Sequence, residues 1–185
     1  MAPPASPASA AASKKQDGAA AVAAAKKDNG IKVLIVEDNL VNQRVLQKQL
    51  KNVGFSVTVA NHGGEALDWL RETNFWHERA KARDGRELHV VLMDQEMPVM
   101  DGLACTRRIR EWERSGELKG HVPIVAVTAN ARSEQIAALL AAGMDDVVSK
   151  PFRIPELTPK IEELAAKYSR DTATEPKTPT KGSKS

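Results

Sequence analysis

Four short apolar runs each end on a charged or hydroxyl residue: residues 31–36 before Glu37-Asp38, 90–93 before Asp94, 124–127 before Thr128, and Asp146–Ser149 before Lys150. Each run is rich in β-branched side chains, too short for a helix and followed by a polar or proline-containing turn, so each reads as a strand. Longer stretches with helical spacing separate them. Strands alternating with helices require crossover connections and hence a parallel sheet, whose strand C-termini open on one edge, where α/β folds hold ligands. Glu37, Asp38, Asp94, Thr128 and Lys150 are therefore expected on a common rim.

A chain of 185 residues, 42% hydrophobic, can build one domain with tails but not two domains. Residues 1–30 are dominated by Ala, Pro and Ser and read as a disordered tail, with an alanine run at 19–25 able to form transient helix. Residues 171–185 are again tail-like, leaving 31–170 for the domain. Within it we expect five strand–helix units. The first helix starts near Asn39, turns Val45, Leu46, Gln49, Leu50 and Val53 inward, and stops at Gly54. The second strand covers Ser56–Ala60, and its helix covers 64–70 with a continuation into N-F-W-H-E-R. The charged residues of about 74–88 read as an insertion or extended loop. Further helices are expected over 103–114, 133–142 and 155–168.

The net charge of +3 comes from the tails, since the lysines at 14, 15, 26, 27, 177, 181 and 184 outnumber the acids there. The balanced middle has no broad basic footprint for a nucleic-acid backbone, so no nucleic-acid partner is expected. No apolar run reaches membrane-spanning length, and the N-terminus lacks a secretory apolar core. The single cysteine, Cys105, excludes an internal disulfide and suits a reducing compartment, the cytoplasm or the nucleus. No zinc-type Cys/His spacing occurs.

Three carboxylates and one ammonium on one rim leave about two negative charges, which a divalent cation would neutralise. Oxygen donors suit Mg²⁺, or Mn²⁺ in its place, with Asp38 and Asp94 as direct ligands and Glu37 acting through water. Such a pocket suits a phosphoryl group, because phosphoryl transfer is catalysed mainly by positioning and electrostatics. No cysteine or Ser-His pair lies among the strand-end motifs, so the candidate nucleophile is a carboxylate forming an acyl phosphate, and Asp94 is best placed.

The stretches V-L-I-V-E-D-N, V-V-L-M-D-Q-E-M-P-V-M-D-G, V-A-V-T-A-N and G-M-D-D-V-V-S-K-P-F, in this order, resemble the receiver domain of two-component response regulators. Receivers of hybrid histidine kinases, particularly fungal ones, are the most similar. The resemblance covers roughly residues 31 to 168. It implies a flavodoxin-like five-stranded parallel sheet in the order 2-1-3-4-5 with five helices. It also implies that Asp94 takes a phosphoryl group from a phosphohistidine on a kinase or histidine-phosphotransfer protein. Glu37, Asp38, Asp94 and the backbone carbonyl of Glu96 would organise Mg²⁺, Thr128 would be the switch hydroxyl, and Lys150 would pair with a phosphoryl oxygen. Pro98, Gly102 and Pro151 would shape the adjoining loops, with a cis bond at Lys150-Pro151. One position departs: many receivers carry Tyr or Phe three residues before the lysine, and this chain has Val147.

Each motif alone has a plainer reading: Glu37-Asp38 as a solvated acidic turn, Asp94 as a helix cap, Thr128 as a turn hydroxyl. Their coincidence at four successive strand ends favours the site. Met97, Met100 and Met144 read as packing, and Trp69, Trp76 and Trp112 as helix-face residues. His77-Glu78 lacks the flanks of a kinase phosphoacceptor box, and Arg79, Lys81, Arg83 and Arg86, interspersed with acids, read as solvated. Leu40, opposite the inward helix face, forms with Val41 and Arg44 a candidate docking spot for a phosphotransfer partner.

Two other functions compete with a non-enzymatic phosphoacceptor capable of self-catalysed transfer and autodephosphorylation. An aspartate-nucleophile phosphatase of the haloacid-dehalogenase type usually places a second Asp two residues after its nucleophile, where this chain has Glu96. A phosphorylation-independent interaction domain would be expected to have lost an acid, the threonine or the lysine, and all are present here.

Overall fold

The computed structural model describes residues 27–169. The chain runs β1 (Lys32–Val36), α1 (Leu40–Asn52), β2 (Ser56–Ala60), α2 (Gly63–Leu70), α3 (His77–Ala82), β3 (Val90–Asp94), α4 (Gly102–Ser115), β4 (Ile124–Thr128), α5 (Ser133–Ala141), β5 (Asp146–Ser149) and α6 (Ile154–Ser169). All five strands are parallel, in the order β2-β1-β3-β4-β5. Of the disordered tails expected at 1–30 and 171–185, residues 1–26, with the alanine run, and all of 171–185 lie outside the described residues. Residues 28–30, expected in the first tail, are tied to the domain: Asn29 N–H donates to the Gly54 carbonyl at 2.9 Å, and Ser56 Oγ donates to Asp28 at 3.3 Å.

Strand alternation divides the core into two layers. Leu34, Val36, Val91, Met93, Ile124 and Ala126 face Ala66, Leu70, Cys105, Ile109 and Leu139 of α2, α4 and α5. Val33, Ile35, Val90, Leu92, Val125 and Val127 face Leu46, Leu50, Leu157, Ile161 and Leu164 of α1 and α6. The sheet is thus doubly wound, and both faces of its central strands are buried. Helix ends carry the signals expected of them: Asn39 caps α1 by accepting from the Val41 and Asn42 N–H groups, and Asp101 caps α4 by accepting from Ala104 N–H. Gly54 (φ +99°) and Gly116 (φ +83°) close α1 and α4 in the left-handed region.

The inward face of α1 differs from expectation. Its buried residues are Gln43, Leu46 and Leu50, whereas Val45 and Gln49 are exposed. At 100° per residue Val45 lies on the far side of that stripe, and buried Gln43 is accommodated because its amide donates to the Glu37 carbonyl and to Asn61 Oδ1.

The segment expected as an insertion or loop contains a sixth helix, α3, and α2 stops at Leu70 instead of continuing into it. Bridges Thr73↔Arg86 and Trp76↔Leu118 tie the excursion down, and Trp76 packs edge-on against Trp112 at 5.3 Å between ring centroids. Gly85 fits where a Cβ would come within 2.5 Å of the Asn74 nitrogen. Arg79–Asp84 (3.1 Å) and Arg86–Glu72 (3.2 Å) are exposed ion pairs, in keeping with a solvated reading of these basic residues.

At the opposite edge from the strand C-termini, Arg110 joins α4 to the start of β5. Its guanidinium pairs with Glu113 and with Asp145 (3.1 Å), and His121 donates to Asp145 at 2.7 Å and lies 3.4 Å from Glu113. Burial pulls the His121 imidazole pKa down, but its hydrogen bonds to Asp145 and Glu113 prevail and push it up to about 9. Among the described residues no helix is long and apolar enough to cross a membrane.

Candidate functional site

The polar residues that end the strands meet on one rim. β1 delivers Glu37 and Asp38, β3 ends on Asp94, β4 ends on Thr128, and β5 leads into Lys150. The carboxylates of Glu37, Asp38 and Asp94 each place an oxygen within 4.8 Å of the others, so they could hold a metal ion. Glu37 and Asp94 are buried and Asp38 is exposed. Lys150 Nζ reaches across from β5 to Glu37 Oε2 at 3.0 Å and Asp94 Oδ1 at 3.3 Å.

Burial, reinforced by the neighbouring Glu37 charge, raises the Asp94 carboxyl above its usual range, while Lys150 works against the rise. Burial lowers the Lys150 ammonium pKa, but Glu37 and Asp94 outweigh it and hold the group above its ordinary value. One cation faces three carboxylates, so the rim keeps a negative excess. Its donors are all oxygens, a set that fits a hard divalent cation and not a soft one.

Local structure fixes these groups. Glu37 Oε1 accepts from Asn39 N–H at 3.1 Å, so the acid is held by the turn that also caps α1. Lys150 N–H donates to the Thr128 carbonyl at 2.7 Å, and Lys150-Pro151 is cis. Gly102 backs onto the turn after β3, its N–H donating to the Gln95 carbonyl at 3.0 Å, and a Cβ there would lie 2.3 Å from the Asp94 carbonyl oxygen. Pro98 is exposed, and with Gln95, Glu96, Met97, Asp101 and Leu103 it lines a cleft in the β3–α4 loop. Glu96 is exposed in that loop.

Thr128 is 1% exposed, and its hydroxyl donates to Gln95 Oε1 at 2.7 Å while accepting from Asn130 N–H at 3.0 Å. Gln95 and Gln43 are the polar residues of the site that sequence reasoning passed over. Amides read as surface residues, and the only signal was Gln95's place directly after Asp94, the residue that ends β3. Val147 packs in the α2–α4 layer and Phe152 in the α1–α6 layer, so no aromatic ring stands at the Val147 position. Beside the rim Leu40 (59% exposed), Val41 (69%) and Val99 (87%) present apolar surface, and Arg44 is exposed with them on α1.

A family model described as the response regulator receiver domain matches residues 33–162. Hybrid signal transduction histidine kinase I of Dictyostelium discoideum is 38% identical over 138 residues, which are 74% of this chain and 7% of that protein. The chain therefore spans a small fraction of the length of such relatives. The receiver domain of Pseudomonas aeruginosa sensor histidine kinase PA1611, with a magnesium ion coordinated in its active site cleft, is 34% identical. Its TM-score is 0.57, covering 74% of this chain and 98% of that one. The receiver domain of Saccharomyces cerevisiae Ssk1, co-crystallised with the histidine phosphotransfer protein Ypd1, is 30% identical with a TM-score of 0.60, covering 74% and 89%.

Proposed function

The chain belongs to the response regulator receiver domain family, and from that premise we propose that it is the phosphoacceptor module of a His-Asp phosphorelay with Asp94 as the acceptor. The observation that carries this reading is the convergence of Lys150 on Asp94 and Glu37, which places a cation at the end of the buried carboxylate. In the proposed step an Asp94 carboxylate oxygen attacks the phosphorus of a phosphohistidine. The P–N bond breaks, its electron pair stays on the imidazole, and an acyl phosphate forms.

Asp38 and Asp94 would hold Mg²⁺ directly, with Glu37 through water and the Glu96 carbonyl completing the protein's share. The ion would supply positive charge to the phosphoryl oxygens. Lys150 pairs with a phosphoryl oxygen, and Thr128 donates its hydroxyl proton to another, linking phosphorylation to the loop after β4. Slow hydrolysis of the same acyl phosphate would return the site to its starting state. The donor is a histidine kinase or a histidine-phosphotransfer protein, docking over Leu40, Val41 and Arg44, where exposed apolar side chains adjoin the rim.

Incubation with Mg²⁺ and a small phosphodonor such as acetyl phosphate tests the assignment. It should give one acid-stable, base-labile phosphoryl adduct, absent from Asp94→Asn. Equal labelling of that variant would refute Asp94 as acceptor, and turnover of generic phosphate esters would favour a phosphatase.

A further inference from the structure

A threonine hydroxyl has one proton to give. In Thr128 that proton has its shorter bond to Gln95 Oε1 at 2.7 Å and a longer alternative at the Asn130 carbonyl at 3.2 Å, in a place where Thr128 is 1% and Gln95 9% exposed. The oxygen's acceptor side takes the Asn130 N–H at 3.0 Å. Gln95 is itself fixed: its N–H donates to the Val127 carbonyl at 3.1 Å, extending the β3–β4 ladder, and its carbonyl takes the Gly102 N–H at 3.0 Å. The amide that holds the hydroxyl thus stands on a backbone bonded on both sides, one residue beyond the acceptor.

We propose that Gln95 is a positioning residue that competes with the phosphoryl group for the Thr128 hydroxyl, and so weakens the affinity of the site for phosphoryl oxygens. The inference rests on the reading of Asp94 as acceptor and Thr128 as phosphoryl donor contact. The proton cannot serve both oxygens, so phosphorylation must break the Thr128–Gln95 bond and leave a nearly buried amide oxygen to find another donor. Gln95 also lines the β3–α4 cleft with Glu96, Met97, Pro98, Asp101 and Leu103. With valine at position 147, no aromatic ring couples Thr128 to β5. Release of Gln95 carries the change in Thr128 into the β3–α4 loop instead.

The test is the dissociation constant of beryllofluoride, a phosphoryl mimic, measured with the full chain in Mg²⁺ by fluorine NMR titration. Gln95→Met keeps the length of the side chain and removes the acceptor. It should bind about 3- to 10-fold tighter than wild type, the worth of one net hydrogen bond. In a Thr128→Ala background the same substitution should change nothing, which a merely structural role for Gln95 would not produce. If Gln95→Met fails to fold, judged by circular dichroism, Gln95→Asn shortens the amide out of reach and should shift affinity in the same direction. Wild type that binds, with equal or weaker binding by the variants, overturns this inference alone. So does a gain that persists without Thr128. Wild type that binds no beryllofluoride overturns the phosphoacceptor reading and this inference with it.

Discussion

Lys150 and Glu37, 113 residues apart in the chain, meet at 3.0 Å, and the same ammonium lies 3.3 Å from Asp94. Lys150 is therefore the counter-charge that lets two buried carboxylates face each other. Lys150→Gln should cost about 1–3 kcal/mol of stability in EDTA, below the full cost of breaking a buried pair because the lysine is partly exposed. Mg²⁺ should narrow that gap, since a bound cation replaces the missing charge and stabilises the folded state by mass action. Urea unfolding of both proteins, with and without Mg²⁺, measures it. A gap unaffected by Mg²⁺ would show that metal and lysine do not share these carboxylates.

Gly102 is fixed by contact, since any Cβ there meets the Asp94 carbonyl oxygen at 2.3 Å and Met93 Cγ at 3.0 Å. Gly102→Ala should destabilise the domain by about 1–3 kcal/mol, the usual cost of overpacking. Because the contact is with the backbone of Asp94, the proposed acceptor, uptake of phosphoryl from a small donor should slow as well. Denaturant midpoints and adduct yield check the two effects separately.

The strand ends were legible because β-branched runs followed by a single polar residue have few other readings; Ser56–Ala60 agrees at both ends. Periodicity carried no information on sheet order, which came through the family resemblance. α3 was illegible for a physical reason: its sequence H-E-R-A-K-A buries no residue, and the segment is held by bridges from Thr73 and Trp76 on its flank. Gln43 and Gln95 were missed because their partners, Asn61 and Thr128, come from other strand ends, and only the folded chain brings them together.

His121 supplies a pH dependence. Its pKa rises from an ordinary 6.5 to about 9 in the fold, so its contribution is complete below about pH 6.5 and is lost as pH rises through about 9. His121→Asn should therefore cost about 1–2 kcal/mol at pH 6, discounted for partial exposure, with the difference from wild type closing by about pH 10. Thermal unfolding of both proteins across that range is the measurement. A difference that grows with pH would contradict the pairing of His121 with Asp145 and Glu113.

Leu40 and Val41 project from the first turn of α1 beside Asp38, both more than half exposed. The double substitution Leu40→Ala, Val41→Ala should weaken binding to a histidine-phosphotransfer partner about tenfold, as expected for loss of an apolar contact at the centre of an interface. Stability should stay within about 0.5 kcal/mol, because the side chains bury little. Titration calorimetry against the partner tests the first effect and urea unfolding the second. Unchanged affinity would place docking elsewhere.

The α3 excursion closes on itself through Thr73 and Arg86 and is bridged by Trp76 to Leu118 after α4, at the edge of the sheet away from Asp94. The chain's single thiol, Cys105, is buried, and burial first, then Asp101, push it up to about 12. At neutral pH it is a poor nucleophile toward alkylating reagents. A cysteine introduced at exposed Lys81 would then be the one thiol a maleimide dye can reach, so the molecule can carry a reporter at the far end of the sheet while the rim keeps its native residues.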